Sequence, residues 1–257
     1  IAGMSLDAFL SGSVYAFVLI IARFGTAIML MPGFGDIYVS PRIRLALVMM
    51  IALILTPVIG PILPPEPGAP ADLLKIVASE VFVGAFLGGL IRVLVGTLTT
   101  AGTVIAYHAG AANALIFDPI AVQQSSVYAT FLTNIGMVLI FVTDLHHLML
   151  NAIYDSYTVM VPGALFSMGS FSDAFTYKVM ESFEVAMRIA SPVVVSGVTF
   201  YVGLGLLSRL MPQMQVFFIG LPIQILLGLS VLAVSLPIMM YTFLAYFEEG
   251  LILLLRT

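Results

Sequence analysis

Long runs without a charged residue alternate with short polar breaks along this chain. No Asp, Glu, Lys or Arg occurs in residues 45–65, 93–117, 119–143, 189–208 and 210–247. A helix needs roughly 20 residues, each rising about 1.5 Å, to cross the hydrocarbon core of a bilayer. With an apolar N-terminal run added, the pattern predicts about six hydrophobic helical segments. We place them at 8–31, 43–63, 72–105, 125–161, 175–209 and 214–255, and expect the fourth and sixth to be broken.

The composition excludes a soluble domain. The chain is 61% hydrophobic and 9% charged, with a mean hydropathy of +1.16, whereas soluble domains are about 45–50% apolar and about 25% charged. A net charge of −4 leaves no basic patch for nucleic acid. The absence of Cys excludes disulfides, thiol nucleophiles and thiolate metal sites. We therefore predict an all-α, polytopic membrane protein built from long helical hairpins with kinked or broken helices.

Several charges lie inside the predicted spanning segments. Arg23 falls within the first segment and Arg188 within the fifth. A charge at the centre of a bilayer costs from about 2.5 kcal/mol upward, so it usually faces protein or water. We expect Arg23 and Arg188 to have buried partners. For Lys75 and Arg92, an equal alternative is a place at the end of a span, with the charge reaching toward the headgroups.

Small and helix-breaking residues mark several boundaries and contacts. Ser40-Pro41 predicts the start of the second helix, and Ser172 can cap the fifth. Five prolines between residues 61 and 70 predict an extended, exposed link. Gly84-x-x-x-Gly88 is typical of a helix-packing face rather than of a cofactor site.

The C-terminal third predicts a hairpin that is longer than a bilayer is thick. As a helix, residues 175–209 would span about 52 Å, whereas the hydrocarbon core is about 30 Å thick. Arg209 would lie in the last turn, where the helix dipole favours a cation, and Pro212 would end the helix. We expect Arg209, Gln213 and Gln215 at the hairpin tip to contact neighbouring proteins. The alternative is plain helix termination with solvated polar residues.

Candidate chemistry is sparse. Asp144-x-His146-His147 is the one cluster with metal-ligand side chains, but zinc would need three or four ligands and no metalloprotease spacing is present. A polar helix end at the membrane interface is the favoured interpretation of this cluster. No nucleophile elbow or Gly-rich phosphate loop occurs. We therefore expect no catalytic, cofactor or metal site.

The segment 108–126 combines apolar and polar residues around a helix break at Asp118-Pro119. Irregular backbone at membrane depth is tolerated only where it is buried in protein or lines an aqueous path. The segment is therefore either a pore-lining or re-entrant loop or an ordinary turn outside the membrane, and its apolar content favours the first. Gly110 would allow a turn, Leu115, Ile116 and Phe117 would offer an apolar closing surface, and Asn113, Gln123 and Gln124 could hydrogen-bond the freed backbone.

The stretch from Arg209 to Gly228, with its Pro212-Gln213-x-Gln215-Val-Phe217-Phe218 motif, resembles the signature of the FliR family, the R proteins of the type III export gate. Three other regions agree with it in order. They are Arg23-Phe-Gly with the Pro32-Gly33 turn, Pro41-Arg42-Ile-Arg44, and Gly110 through Phe117-Asp118-Pro119.

The resemblance implies a non-catalytic channel subunit in the bacterial inner membrane, at the flagellar basal body, that passes unfolded protein substrates. It implies assembly with P and Q export-gate proteins and with the B-type switch protein of the same apparatus. Residues 1–174 would resemble a P subunit and residues 175–257 a Q subunit, with 110–124 as the plug. The expected subunit contacts are Arg23, Arg188, Arg209, Pro212, Gln213, Gln215, Phe217 and Phe218.

Two alternatives come from other functional classes. Buried charges and broken helices would also suit a secondary transporter of small solutes, although no inverted repeat is visible. An intramembrane metalloenzyme using Asp144, His146 and His147 is the third hypothesis. Within the resemblance, flagellar and virulence-secretion use both remain open, and the shape of the Pro212 motif favours the flagellar one.

Overall fold

The computed structural model describes residues 6–110, 127–163, 168–211 and 216–256, and these are almost entirely helical. No strand occurs among them, which confirms the predicted all-α class. In chain order the helices are α1 (Leu6–Leu30), α2 (Pro41–Ile59), α3 (Pro70–His108), α4 (Val127–Val142), α5 (Leu145–Val159), α6 (Met168–Leu210) and α7 (Val216–Arg256), with a 3-10 turn at Gly60–Ile62.

The helices have the length and apolarity that membrane crossing requires. Five of them could span a bilayer, and α4 with α5 would add a sixth as one bent pair. The predicted number of segments and the break in the fourth are confirmed. The predicted break in the sixth is wrong, because α7 continues through Pro222 and Pro237. A proline removes one backbone hydrogen bond from a helix. In membrane helices, neighbouring helices and nearby side chains can satisfy the freed carbonyl, so the helix continues past the proline.

Helix boundaries agree with the sequence where local chemistry sets them. Ser40 caps α2, since its Oγ accepts a hydrogen bond from Ile43 N at 3.4 Å, and Pro41 is the first helical residue. Ser172 is not a cap, because α6 begins at Met168. Phe171 packs edge-on against Phe82 and Phe86 of α3, with centroid distances of 5.5 and 4.5 Å. The first turn of α6 is thus packed on α3 by an aromatic contact.

Two compact units, each assembled from separate stretches of chain, make up the molecule. The first unit contains residues 1–93, 144–178 and 249–257, and the second contains residues 94–143 and 179–248. The division at residue 174 into P-like and Q-like regions concerns resemblance to other proteins and stays a prediction.

Each unit is held by close approach of helices. In the first unit, a Cβ added to Gly84 would overlap the Arg23 carbonyl and the Thr26 hydroxyl, and one added to Gly88 would lie 2.7 Å from Ala27 O. The predicted packing face of Gly84-x-x-x-Gly88 is thus confirmed, with α1 as its partner. In the second unit, Gly136 makes a similar close approach, because an added Cβ would overlap Leu98 of α3.

Candidate functional site

A buried ion pair lies at the centre of the first unit. Arg23 Nε donates to Glu80 Oε2 at 2.7 Å, and Arg23 Nη2 donates to Glu80 Oε1 at 3.0 Å. Both side chains are 0% exposed. The two parallel bonds join α1 to α3 in the bidentate geometry that favours Arg over Lys. The expectation of a buried partner is confirmed for Arg23.

Helix α5 supplies the remaining contacts of the guanidinium. Arg23 Nη1 donates to Ser156 Oγ at 3.0 Å, and Nη2 donates to the Met160 carbonyl at 2.9 Å. The Tyr157 ring lies under the charge, with Cζ 4.0 Å from the ring centroid. Met160 is the C-cap of α5, so Arg23 satisfies a carbonyl at a helix end that lacks an intrahelical donor. We name Arg23, Glu80, Ser156, Tyr157 and Met160 the buried arginine cluster.

The buried arginine cluster holds three helices in one register. All of its partners come from the first unit, and Arg23 is 0% exposed. This chain itself uses the donors of the guanidinium, and the predicted contact of Arg23 with another subunit stays a prediction. A buried charge with a complete set of partners is costly to perturb at any one of them.

Arg188, which was also expected to have a buried partner, has an exposed one. Its Nη2 donates to Glu184 Oε1 at 2.6 Å, but the two side chains are 68% and 64% exposed. The prediction of a buried partner is wrong here, because an acidic residue one helical turn earlier meets the charge on the same face of α6. Lys75 is also exposed and pairs with Asp72 at 2.8 Å. Arg92 is exposed as well, and the span-end interpretation of both residues stays a prediction.

The structure describes the start of the predicted plug, at Gly110, just after the end of α3. Helix α3 ends at His108, and Gly110 has a φ of +80°, a conformation that favours glycine. The turn predicted at Gly110 is confirmed. The other predicted plug residues lie outside the described residues; they are Asn113, Leu115, Ile116, Phe117, Asp118, Pro119, Gln123 and Gln124.

The hairpin tip is described on both sides of a short gap. Arg209 lies in the last turn of α6, as predicted, where the negative end of the helix dipole stabilises its positive charge. Phe217 and Phe218 lie in the first turn of α7. Pro212, Gln213 and Gln215 lie outside the described residues.

The Asp144, His146 and His147 cluster forms a corner between α4 and α5. One possible ligand atom from each residue lies within 4.8 Å of the others. Asp144 has a φ of 60°, and its Oδ1 lies 3.7 Å from His147 Nδ1 in a largely exposed pair. Aspartate is among the few residues that occupy this left-handed conformation. All three groups come from a single turn, so the corner fits the favoured interpretation as a polar helix end.

The sequence did not identify the partners of Arg23. Glu80 was visible only as a charge within an apolar helix, and Ser156 and Tyr157 carried no signal of their own. The usable signal was complementarity, because Glu80 is an acidic residue inside one predicted span and Arg23 is a basic residue inside another.

Comparison with known proteins covers nearly the whole chain. Residues 14–250 match the family described as bacterial export proteins, family 1. The flagellar biosynthetic protein FliR of Caulobacter vibrioides is 36% identical over 223 residues, which cover 87% of this chain and 89% of the relative. The FliR protein of Aquifex aeolicus is 26% identical over 218 residues, covering 85% and 84% of the two chains.

Similarity extends to a protein of a different secretion apparatus. The secretion system apparatus protein SsaT of Salmonella typhimurium is 25% identical over 172 residues, which cover 66% of each chain.

Proposed function

Because this chain belongs to the FliR family of bacterial export proteins, we propose that it is a non-catalytic subunit of a type III protein export gate. In this role it forms a channel with P and Q subunits in the bacterial inner membrane, and unfolded protein substrates pass through that channel. The greater identity to a flagellar relative than to the SsaT protein favours flagellar use.

The observation that carries the proposal is the length and exposure of α6 and α7. These helices have 43 and 41 residues, or roughly 60 Å each if straight, which is about twice the thickness of a hydrocarbon core. Only 22% of the apolar stretch of α6 that could cross a membrane is buried within the chain, and for α7 the share is 28%. Lipid can cover part of this apolar surface, but the excess length needs protein neighbours.

The exposed surface supports protein partners, and the resemblance to the FliR family suggests which ones. We infer that P-type and Q-type subunits cover it and that the B-type switch protein joins the same assembly. Arg188 and Arg209 are exposed on α6, and so are available to other subunits. With the tip residues Pro212, Gln213, Gln215, Phe217 and Phe218, they make up the proposed contact set.

The proposed channel also needs a closing element. We assign this role to residues 110–124, because they follow directly on the left-handed turn at Gly110 and carry the apolar Leu115, Ile116 and Phe117. A narrow apolar constriction resists wetting and so blocks ions. The plug must also leave when a substrate passes, which requires few strong contacts.

Deleting residues 111–117 tests the proposal. We expect the variant to co-purify with P and Q subunits and to admit small ions in cells, because only the closing element is lost. The measurements are the mass of the intact complex and dye or ion leakage relative to the parent. An assembled but sealed complex would refute the plug, and a stable lone monomer of native helix content would refute the gate subunit.

A further inference from the structure

The C-terminal end of α3 is held by two other helices of the second unit. The last carbonyls of a helix have no intrahelical donors and need partners from elsewhere. Gln224 of α7 supplies one, since its Nε2 donates to the His108 carbonyl at 3.0 Å. The Gln224 side chain is buried, with 1% exposure.

The contact between Gln224 and the end of α3 leaves no spare room. A Cβ added to Gly110 would lie 3.0 Å from Gln224 Cδ and 3.2 Å from its Oε1. Glycine is therefore required at this position twice, by its φ of +80° and by the side chain that packs against it. A leucine in place of Gln224 could fill the same space but would leave the His108 carbonyl without this donor, so the buried amide has a role beyond filling space.

Two further glycines bring α6 and α7 against the same point. A Cβ on Gly197 of α6 would lie 2.8 Å from His108 O. A Cβ on Gly228 of α7 would lie 2.7 Å from the Ala109 Cβ. Ala109 is fully buried. Three independent close approaches thus converge on three consecutive residues, immediately before the segment assigned as the plug.

We propose that Gln224, Gly197 and Gly228 form a clamp on residues 108–110 that fixes where and in which direction the following segment leaves α3. Gln224 is a positioning residue for channel closure, and it acts through the His108 carbonyl rather than on a substrate. Because residues 111–124 are the proposed plug, this inference rests on the proposed function.

The experiment uses the full chain assembled with its P and Q subunits. The chain contains no Cys, so Asn113→Cys introduces a single thiol, and this variant is the parent for all comparisons. Gln224→Met keeps the volume of the side chain and removes the amide. Labelling of the thiol by a membrane-impermeant maleimide should become roughly two- to twelvefold faster, the factor that corresponds to the loss of one hydrogen bond.

Two further variants make the result specific. Gly110→Ala pushes a Cβ into Gln224 from the other side and should also accelerate labelling. Leu226→Met introduces the same residue at an exposed position of α7, so it should leave labelling unchanged. If Gln224→Met fails to assemble, the Gly110→Ala result decides.

The outcomes separate the clamp from the plug. Parental labelling rates in assembled Gln224→Met and Gly110→Ala complexes would overturn the clamp, even if deletion of 111–117 opens the channel. Faster labelling in both variants, combined with a deletion that stays sealed, would support the clamp as an anchor and overturn the plug. Faster labelling together with a leaking deletion supports both.

Discussion

Replacing Glu80 with Gln removes the counter-charge of Arg23 and keeps the shape of the side chain. Arg23 would retain Ser156 Oγ, the Met160 carbonyl and the Tyr157 ring, but its charge would be buried without an opposite charge. Breaking one side of a buried pair costs about 3–5 kcal/mol. Total stabilities are about 5–15 kcal/mol, so we expect a large loss in the free energy of unfolding.

A double-mutant cycle measures the interaction itself. Arg23→Met alone leaves the Glu80 carboxylate unpaired and should be similarly harmful. The double variant Arg23→Met, Glu80→Gln removes both charges, so it should be clearly more stable than the sum of the single losses predicts. The assay is denaturant unfolding of the purified complex in detergent, followed by circular dichroism.

The matched control is the exposed pair near the start of α3. Asp72→Asn removes the partner of Lys75 at a site where the two side chains are 55% and 78% exposed and which lies outside the proposed contact set. Surface pairs contribute little, so stability should hardly change. Equal effects of Glu80→Gln and Asp72→Asn, or additive losses in the cycle, would refute the view that the buried arginine cluster holds the first unit together.

Two backbone positions give further predictions. Gly84→Ala should destabilise the protein by about 1–3 kcal/mol, because its Cβ would overlap α1. Gly96 has open space around it, so Gly96→Ala should be neutral or slightly stabilising in the same unfolding assay. Equal losses in the two variants would contradict this packing. Asp144→Gly should be tolerated, because φ is 60° at this position, whereas Asp144→Val should cost about 1–2 kcal/mol of stability. Thermal unfolding of both variants measures which is the more stable. A more stable valine variant would count against a left-handed conformation at residue 144.

Local chemistry made much of this protein predictable from its sequence. Runs free of charge specify spanning helices because a bilayer offers no water to solvate charges. Ser40 and Pro41 specify a helix start because a cap needs one hydroxyl and one fixed φ within the same turn. Arg23 had to have a buried partner because a charge inside an apolar run cannot remain unpaired. Each inference needs only neighbouring residues and the solvent.

The tertiary structure decided the questions that depend on residues far apart in the chain. Glu80 is the partner of Arg23 because α3 packs on α1 at Gly84, and Gln224 meets His108 across 116 positions of sequence. Arg188 lies exposed and pairs with Glu184 of its own helix, whereas Arg23 has no charged residue within ten positions of sequence. Helix α6 begins before Ser172, and its Phe171 packs on α3. Periodicity and composition report whether a residue must be buried or paired, but only the packing of helices selects its partner.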